Sequence, residues 1–520
     1  MNLRRQLDHA LTACIEHTAF IISLLFIAFF LGLGAIPLVD LDEGAFGAAT
    51  MEMLIRQDFI TTYLGGELRF DKPILIYWLQ AASVSIFGLN EFGLRLPSAI
   101  MASLWALAIY FFTRQHCDKK SAVVALTAMA TSAYIIVVGR AAVADALLNF
   151  WLCMTMLSGY KFFETGEKKY SYWGYAFIGL GLLTKGPIAV LVPGAVTLIY
   201  TLMMRSWPRF WRLAFNPIGW MITLAIALPW YVLEYLDQGM LFIDGFIFKH
   251  NVERFSETME QHGGSIFYYL LLLPVILLPL TGLFLNTLRR LRTLFHGKAF
   301  DTWMWLWFIF VFVFFSLSGT QLPHYVLYGA TPLFILMGKY HRELLSYRLT
   351  FIPILIWLVL AFLLPFVLPY VAEAQNKLFV KTQLEDAQLY YHWSYSAGVG
   401  ALIALVALIW FTKPRSLINS LLAFAWLHTL VVVTLIVPYA LNTKQDAVKQ
   451  AGILARQYDQ TVVMHGITFP TFAVYRGAVT PKRKPVSGEI VFTKISNAEK
   501  YGPAEILFSQ SGYALLKLAQ

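Results

Sequence analysis

Carboxylates stand out in a chain that carries little charge. The stretch 40–73, DLDEGAFGAATMEMLIRQDFITTYLGGELRFDKP, holds Asp40, Asp42, Glu43, Glu52, Asp58, Glu67 and Asp71, although only 13% of all residues are charged. Asp42-Glu43 opens it and Asp71-Lys72-Pro73 closes it. Farther on come Asp145 in GRAAVAD, Lys185 in LTKGP, His250 and Arg254 in FKHNVERF, and Tyr325 in SGTQLPHY. A carboxylate beside a reacting hydroxyl takes its proton, a contribution of about 10²–10⁴-fold. Neighbouring cations stabilise an anion as it departs.

Each residue also has a plainer reading. Asp42 begins a helical stretch, 44–56, where an acid serves as an N-cap and complements the dipole. That role leaves unexplained the acid and base before Pro73, a proline at the first turn of a helix over 73–88. Asp145 is an interface anchor or a functional acid at the end of a span. Lys185 is a solvated turn residue or an anion-binding one. His250 and Arg254 share a helical face at i, i+4. His250 with a carboxylate such as Asp71 supplies two ligands for a divalent ion, and His262 in QHGG stands alone. Tyr325 fits an aromatic belt as well as a site.

These groups act together only if the chain brings them to one side. Of the 520 residues, 58% are hydrophobic, and the mean hydropathy is +0.63. A soluble domain has roughly 25% charged residues, so this composition excludes an ordinary soluble enzyme. Apolar runs of about 18 residues or more recur, which predicts a polytopic membrane protein. The first run, 18–39, exceeds the roughly 7–15 apolar residues of a signal peptide and is read as a retained span. Cys14, Cys117 and Cys153 are too scattered for a disulfide framework or a zinc motif.

Fourteen apolar segments fall near 18–39, 73–88, 95–113, 121–139, 145–163, 170–184, 187–204, 214–233, 265–286, 302–318, 323–338, 349–371, 393–412 and 417–440. Segment 73–88 is short and reads as interfacial or re-entrant, leaving about thirteen spans. With a cytoplasmic N-terminus, the inner segments then hold 20 basic and 7 acidic residues, and the outer loops before the tail 10 basic and 18 acidic. That is the positive-inside pattern. Counting 73–88 as a span would put RRLR (289–292) outside. The first outer loop (40–94), Asp145, Lys185, the 234–264 loop, the turn at 316–324 and the tail thereby share one face.

The division expected is a membrane domain over 1–441 and a small domain over 442–520. A helical pattern at 446–458 precedes β-type runs at 461–465, 489–493, 506–509 and 513–516, the pattern of a small α/β domain. Lys482-Arg483-Lys484 reads as a solvated turn, with an anionic-lipid contact as its alternative. The halves lack the paired broken helices of inverted-repeat transporters.

The ordered set of an acidic pair after the first span, [DE]KP, an Asp after the third span, LTKGP, H-x3-R and QLPHY resembles the bacterial relatives of the protein O-mannosyltransferases. These are polyprenyl-phosphate-sugar glycosyltransferases that include the lipid A aminoarabinose transferases, and the resemblance covers roughly 18–340. It implies a mainly α, GT-C membrane fold and inverting transfer of a sugar to lipid A, another glycolipid or a protein. By that resemblance Asp42 is the principal catalytic carboxylate, with Asp145 and Glu43 beside it. Lys72, Lys185, Arg254 and Tyr325 correspond to groups on the donor phosphate. Asp71 and His250 correspond to a pair linked to a divalent metal (Zn, Mg or Mn), where relatives commonly have Glu for Asp71. The setting implied is the bacterial inner membrane, with the site and tail periplasmic and no nucleic-acid partner. DEGAF, with Ala45, departs from the DEARY-like pattern of the aminoarabinose branch, so sugar and acceptor stay open. A transporter or flippase for an anionic lipid-linked sugar is the competing reading, and it expects charges within spans rather than at their outer ends.

Overall fold

The structure, a computed structural model, describes residues 10–253, 265–296, 298–343, 347–414 and 416–519. It is mainly helical, with a two-stranded hairpin (Tyr63–Leu64 and Glu67–Leu68) in the first loop and a four-stranded sheet near the C-terminus. Among the described residues, six helices are long and apolar enough to cross a membrane, and two bent pairs raise that to eight. The other expected spans are also helical but shorter, less apolar or interrupted, as where Tyr268–Ile276 and Thr281–Leu288 divide one segment. Helix Pro217–Gln238 exposes Leu224, Leu228, Val232 and Leu236 at a helical spacing of four. An unpartnered apolar stripe of this kind faces lipid.

Segment 73–88 forms the helix Leu75–Phe87 of 13 residues. At 1.5 Å per residue that is about 20 Å, well short of a hydrocarbon core of about 30 Å. The acidic stretch forms a second short helix, Asp42–Arg56, whose buried residues include Phe46, Ala49 and Met53. Both helices lie at one end of a bundle built around helix Glu91–His116, which starts at an N-cap from Asn90 to the Gly93 amide (2.8 Å). Trp303, Trp305 and Trp307 are fully buried in its core.

Helices Asp145–Thr165 and Lys168–Lys185 form a tight hairpin closed by Gly166, whose φ of +78° suits a residue without Cβ. Because the hairpin is antiparallel, the first residue of one helix and the last of the other meet at one end.

The tail sheet pairs strand Val462–Met464 in parallel with Ile490–Lys494. Antiparallel Tyr513–Leu518 and Ala504–Gln510 follow in that spatial order. The four expected β-type runs each match one of these strands. The expected helix at 446–458 begins inside Val437–Ala455 and ends three residues early, and that helix continues the last apolar one without a linker, so 417–455 is one uninterrupted run of 39 residues. Helix Leu378–Asp386 closes one side of the sheet, where the Phe379 and Tyr513 rings stand 5.1 Å apart.

Candidate active site

The hairpin places Lys185 Nζ 2.6 Å from Asp145 Oδ1. Helix dipoles favour both ends of the pair, since the acid stands at an N-terminus and the base at a C-terminus. The turn Pro323–Gly329 supplies the other wall. Lys185 Nζ donates to the Tyr328 hydroxyl (2.8 Å), His324 Nε2 lies 3.8 Å from Asp145 Oδ1, and the centre of the Tyr325 ring is 5.9 Å from Lys185 Nζ. Asp145, Lys185 and Tyr325 are thus brought together as expected. His324 and Tyr328 join them unannounced. His324 is visible in QLPHY, and Tyr328 stands one helical turn after Tyr325, on the same side of the turn.

Asp42 begins the loop helix and keeps an exposed side chain. Its carboxyl is held above the usual carboxylate range, first by the loss of surrounding water and then by the charge of Asp145. Lys185, Lys72 and Arg69 oppose that shift. One acid is thus partly deprived of water while its neighbour is locked to a lysine, an arrangement that separates a proton acceptor from a fixed anion.

Glu43, expected in the catalytic set, is 3% exposed. Its Oε1 accepts from Arg95 Nε (2.7 Å) and the Ala142 amide (2.8 Å), and its Oε2 from Arg95 Nη2 (2.7 Å) and the Val39 amide (2.8 Å). Arg95 also donates to the carbonyls of Leu33, Ile36 and Pro37. Both oxygens of Glu43 are thus occupied. The residue ties the segment before Asp42 to the turn before Asp145.

At the far end of the loop, Lys72 Nζ donates to the carbonyl of Asp71 (2.9 Å), and its charge reaches both Asp42 and Asp145. Asp71 pairs with Arg69 Nη2 at 3.2 Å. Beside them is a polar cavity of about 280 Å³ whose lining includes Glu67, Arg69, Asp71 and Lys249. Arg254, His262 and the side chain of His250 lie outside the described residues. Among the described residues no group of three His, Cys, Asp or Glu side chains could hold a metal. Asp71 has the Arg69 guanidinium against it, and its expected partner in a metal site, the His250 side chain, lies outside the described residues.

The tail reaches this site. Helix Pro470–Arg476 packs on the loop helix, and the Thr471 amide (3.0 Å) and hydroxyl both donate to Asp40, two residues before Asp42. A Cβ on Gly44 would stand 2.3 Å from Asp40 Oδ1 and 2.7 Å from the Thr471 nitrogen, so only glycine fits between the two elements. The Tyr475 hydroxyl accepts from the Leu38 amide (2.6 Å) and donates to Glu91 (3.0 Å), which also pairs with Lys449 (2.6 Å).

Burial pushes the Asp40 carboxyl up to about 7. A carboxyl raised in the folded state binds more protons folded than unfolded between the two pKa values. Stability from this contact is therefore full below about pH 4 and falls as pH rises to about 7. Thermal unfolding scans from pH 4 to 8 are expected to show that decline, and Asp40→Asn, which can still accept from Thr471, is expected to flatten it.

The chain is similar to known proteins in sequence and in fold. Residues 71–233 match the family model described as dolichyl-phosphate-mannose-protein mannosyltransferase. An uncharacterized protein of Aquifex aeolicus is 32% identical over 62% of this chain and 72% of its own length. The undecaprenyl phosphate-alpha-4-amino-4-deoxy-L-arabinose arabinosyl transferase of Edwardsiella ictaluri is 28% identical over 58% of this chain, which spans only 55% of that relative. In three dimensions, ArnT from Cupriavidus metallidurans, solved bound to undecaprenyl phosphate, superposes with a TM-score of 0.81 at 18% identity over 96% of this chain and 97% of its own. That last likeness speaks to the fold alone. Taken with the sequence matches and with acids and cations gathered at one end of a helical bundle, it means that the chain belongs to the GT-C superfamily of polyprenyl-phosphate-sugar glycosyltransferases.

Proposed function

We propose that the protein moves a sugar, with inversion, from a polyprenyl phosphate to a hydroxyl of lipid A, another glycolipid or a protein. One observation carries this reading: the exposed Asp42 stands near enough to the Asp145–Lys185 pair for the charges of both to act on its carboxyl. The acceptor oxygen attacks the anomeric carbon while the bond from that carbon to the phosphate oxygen breaks. The acceptor's proton passes to Asp42, and the electron pair leaves with the polyprenyl phosphate. Lys72 and Lys185 meet the growing phosphate charge, with Tyr325 beside it, and Arg254 is proposed to join them. Asp145 fixes Lys185 and adds negative potential near the oxocarbenium-like sugar. Asp71 and Arg69 organise the end of the loop from which Lys72 projects. His250, with a divalent ion or without one, belongs to the same neighbourhood.

The setting proposed is a bacterial inner membrane, with a cytoplasmic N-terminus and the recess and tail in the periplasm. The arrangement of charge supports it, since the acids and phosphate-binding cations cluster at one end of the helices. The polyprenyl chain stays in lipid while its phosphate enters the recess. Purified protein in detergent, given a polyprenyl-phosphate sugar and an acceptor, should release polyprenyl phosphate and form glycoside with no gradient present. A requirement for a sealed membrane would instead support transport.

The recess also predicts a pH signature. Activity requires ionised Asp42, so the acidic limb of the rate profile reports its pKa. Asp145→Asn removes a like charge and frees Lys185, and both effects lower that pKa, moving the limb to lower pH. Lys185→Met removes an opposing cation and moves it to higher pH. Limbs that stay in place, or exchange these directions, would detach Asp42 from the pair.

A further inference from the structure

A second cavity lies toward the opposite end of the same hairpin, and the transfer reaction does not use it. Its volume is about 190 Å³, and its lining includes Met156, Tyr170, Gly174, Pro193, Phe210 and Trp303. Met156 is eleven residues beyond Asp145 and Gly174 eleven before Lys185. At 1.5 Å per residue, that places the cavity about 16 Å from the Asp145–Lys185 pair along the helices. Gly194 opens it outward, being exposed with nothing within 4 Å of a Cβ built there.

Helix Trp207–Ala214 closes the base of the cavity. The Tyr175 hydroxyl donates to the Leu213 carbonyl (2.6 Å), and Arg209 to the carbonyl of Phe163. Trp207, Phe210, Trp211 and Ala214 recur at i, i+3, i+4 and i+7, while Arg209 and Arg212 occupy the opposite side. None of its residues is buried, and Trp211 is 50% and Phe215 74% exposed. A short helix that is apolar on one side, basic on the other and unburied lies in the membrane interface. Arg205 just before it and Lys168 at the start of the neighbouring helix are also exposed.

We propose that this cavity takes an acyl chain of one anionic phospholipid, whose phosphate is held by Arg205, Arg212 and Lys168. Charge complementarity selects this occupant, because an apolar slot whose lining helices carry exposed cations at or beside their ends suits an apolar chain attached to an anion. The donor's isoprenoid chain has its phosphate at the other end of the bundle and needs no basic rim here. The proposal does not depend on the transfer reaction.

Delipidated full-length protein in a neutral detergent would be mixed with equal amounts of phosphatidylglycerol and phosphatidylcholine of identical chains, then observed by native mass spectrometry. Retention of one phosphatidylglycerol in preference to phosphatidylcholine is expected. Each basic residue facing an anionic headgroup contributes enough that Arg205→Gln combined with Arg212→Gln should weaken retention about thirtyfold. Gly194→Phe, which fills the opening, should abolish it. Equal retention of the two lipids by the wild type overturns the proposal, and this comparison needs no variant to fold. Unchanged phosphatidylglycerol retention in either variant overturns it too. So does a Gly194→Phe protein that loses added undecaprenyl phosphate but keeps phosphatidylglycerol, an outcome that assigns the cavity to the donor chain.

Discussion

Asp42→Asn is expected to slow sugar transfer by about 10²–10⁴-fold, the contribution of a positioned general base, while leaving the melting temperature and donor affinity close to wild type. Asparagine keeps the size of the side chain and its ability to accept a backbone hydrogen bond at the helix start, so any capping role survives. What it cannot do is take a proton. The side chain reaches solvent, and a partial loss of surrounding water together with the charge of Asp145 works against its own charge, so removing that charge should not harm the fold. Single-turnover transfer and donor binding, measured on the same preparation, separate the chemistry from the binding. Transfer at the wild-type rate by the Asp42→Asn protein would remove Asp42 from the reaction and leave the recess without a proton acceptor. A large fall in affinity with an unchanged chemical step would make Asp42 a binding residue.

The sequence exposed much of this arrangement because membrane folds are constrained in ways that composition records. Hydropathy located the helices, and the balance of basic and acidic residues gathered Asp42, Lys72, Asp145, Lys185 and Tyr325 at one end of them. Strand-type runs in the tail were legible because alternating and β-branched residues have no reason to collect in a solvated loop. Partnerships between remote residues were not. Nothing around Arg95 in FGLRLPS announces that it will consume both oxygens of Glu43, 52 residues earlier. An acidic pair looks the same whether one or both of its members face the substrate. The Asp40–Thr471 contact spans 431 residues, and no local pattern encodes it. Helix Val437–Ala455 hid the tail's attachment differently. Helical periodicity continues through the point where composition turns polar, so a change of solvent resembles a domain boundary. At Asp71, the ion pair with Arg69, two residues earlier in LRFDKP, went unread, because spacing alone does not rank such a partner against a metal.

Glu43→Ala should be the most destabilising single change at the site, costing about 3–5 kcal/mol, because it leaves the Arg95 guanidinium buried and uncompensated. The pair is 3–4% exposed, and every oxygen and guanidinium nitrogen is engaged. By contrast, the Arg342–Asp118 bridge has side chains 74% and 45% exposed, and such a pair contributes about 0–1 kcal/mol. Denaturation in detergent of Glu43→Ala and of Arg342→Ala, which leaves the Asp118 helix cap in place, should therefore differ several-fold in lost stability. Glu43→Gln offers a finer test, since it keeps the shape and some hydrogen bonds while removing the charge. If Glu43 only positions, the Gln variant should lose stability and lower the transfer rate, but the acidic limb set by Asp42 should keep its shape as a single ionisation. If Glu43 also moved protons, that limb would change its slope. The placement of the pair explains why the two losses travel together. Glu43 holds the Val39 amide on one side and the Ala142 amide on the other. Asp42 and Asp145 each follow one of those anchors by three residues, so loosening a single buried carboxylate releases both acids of the recess at once.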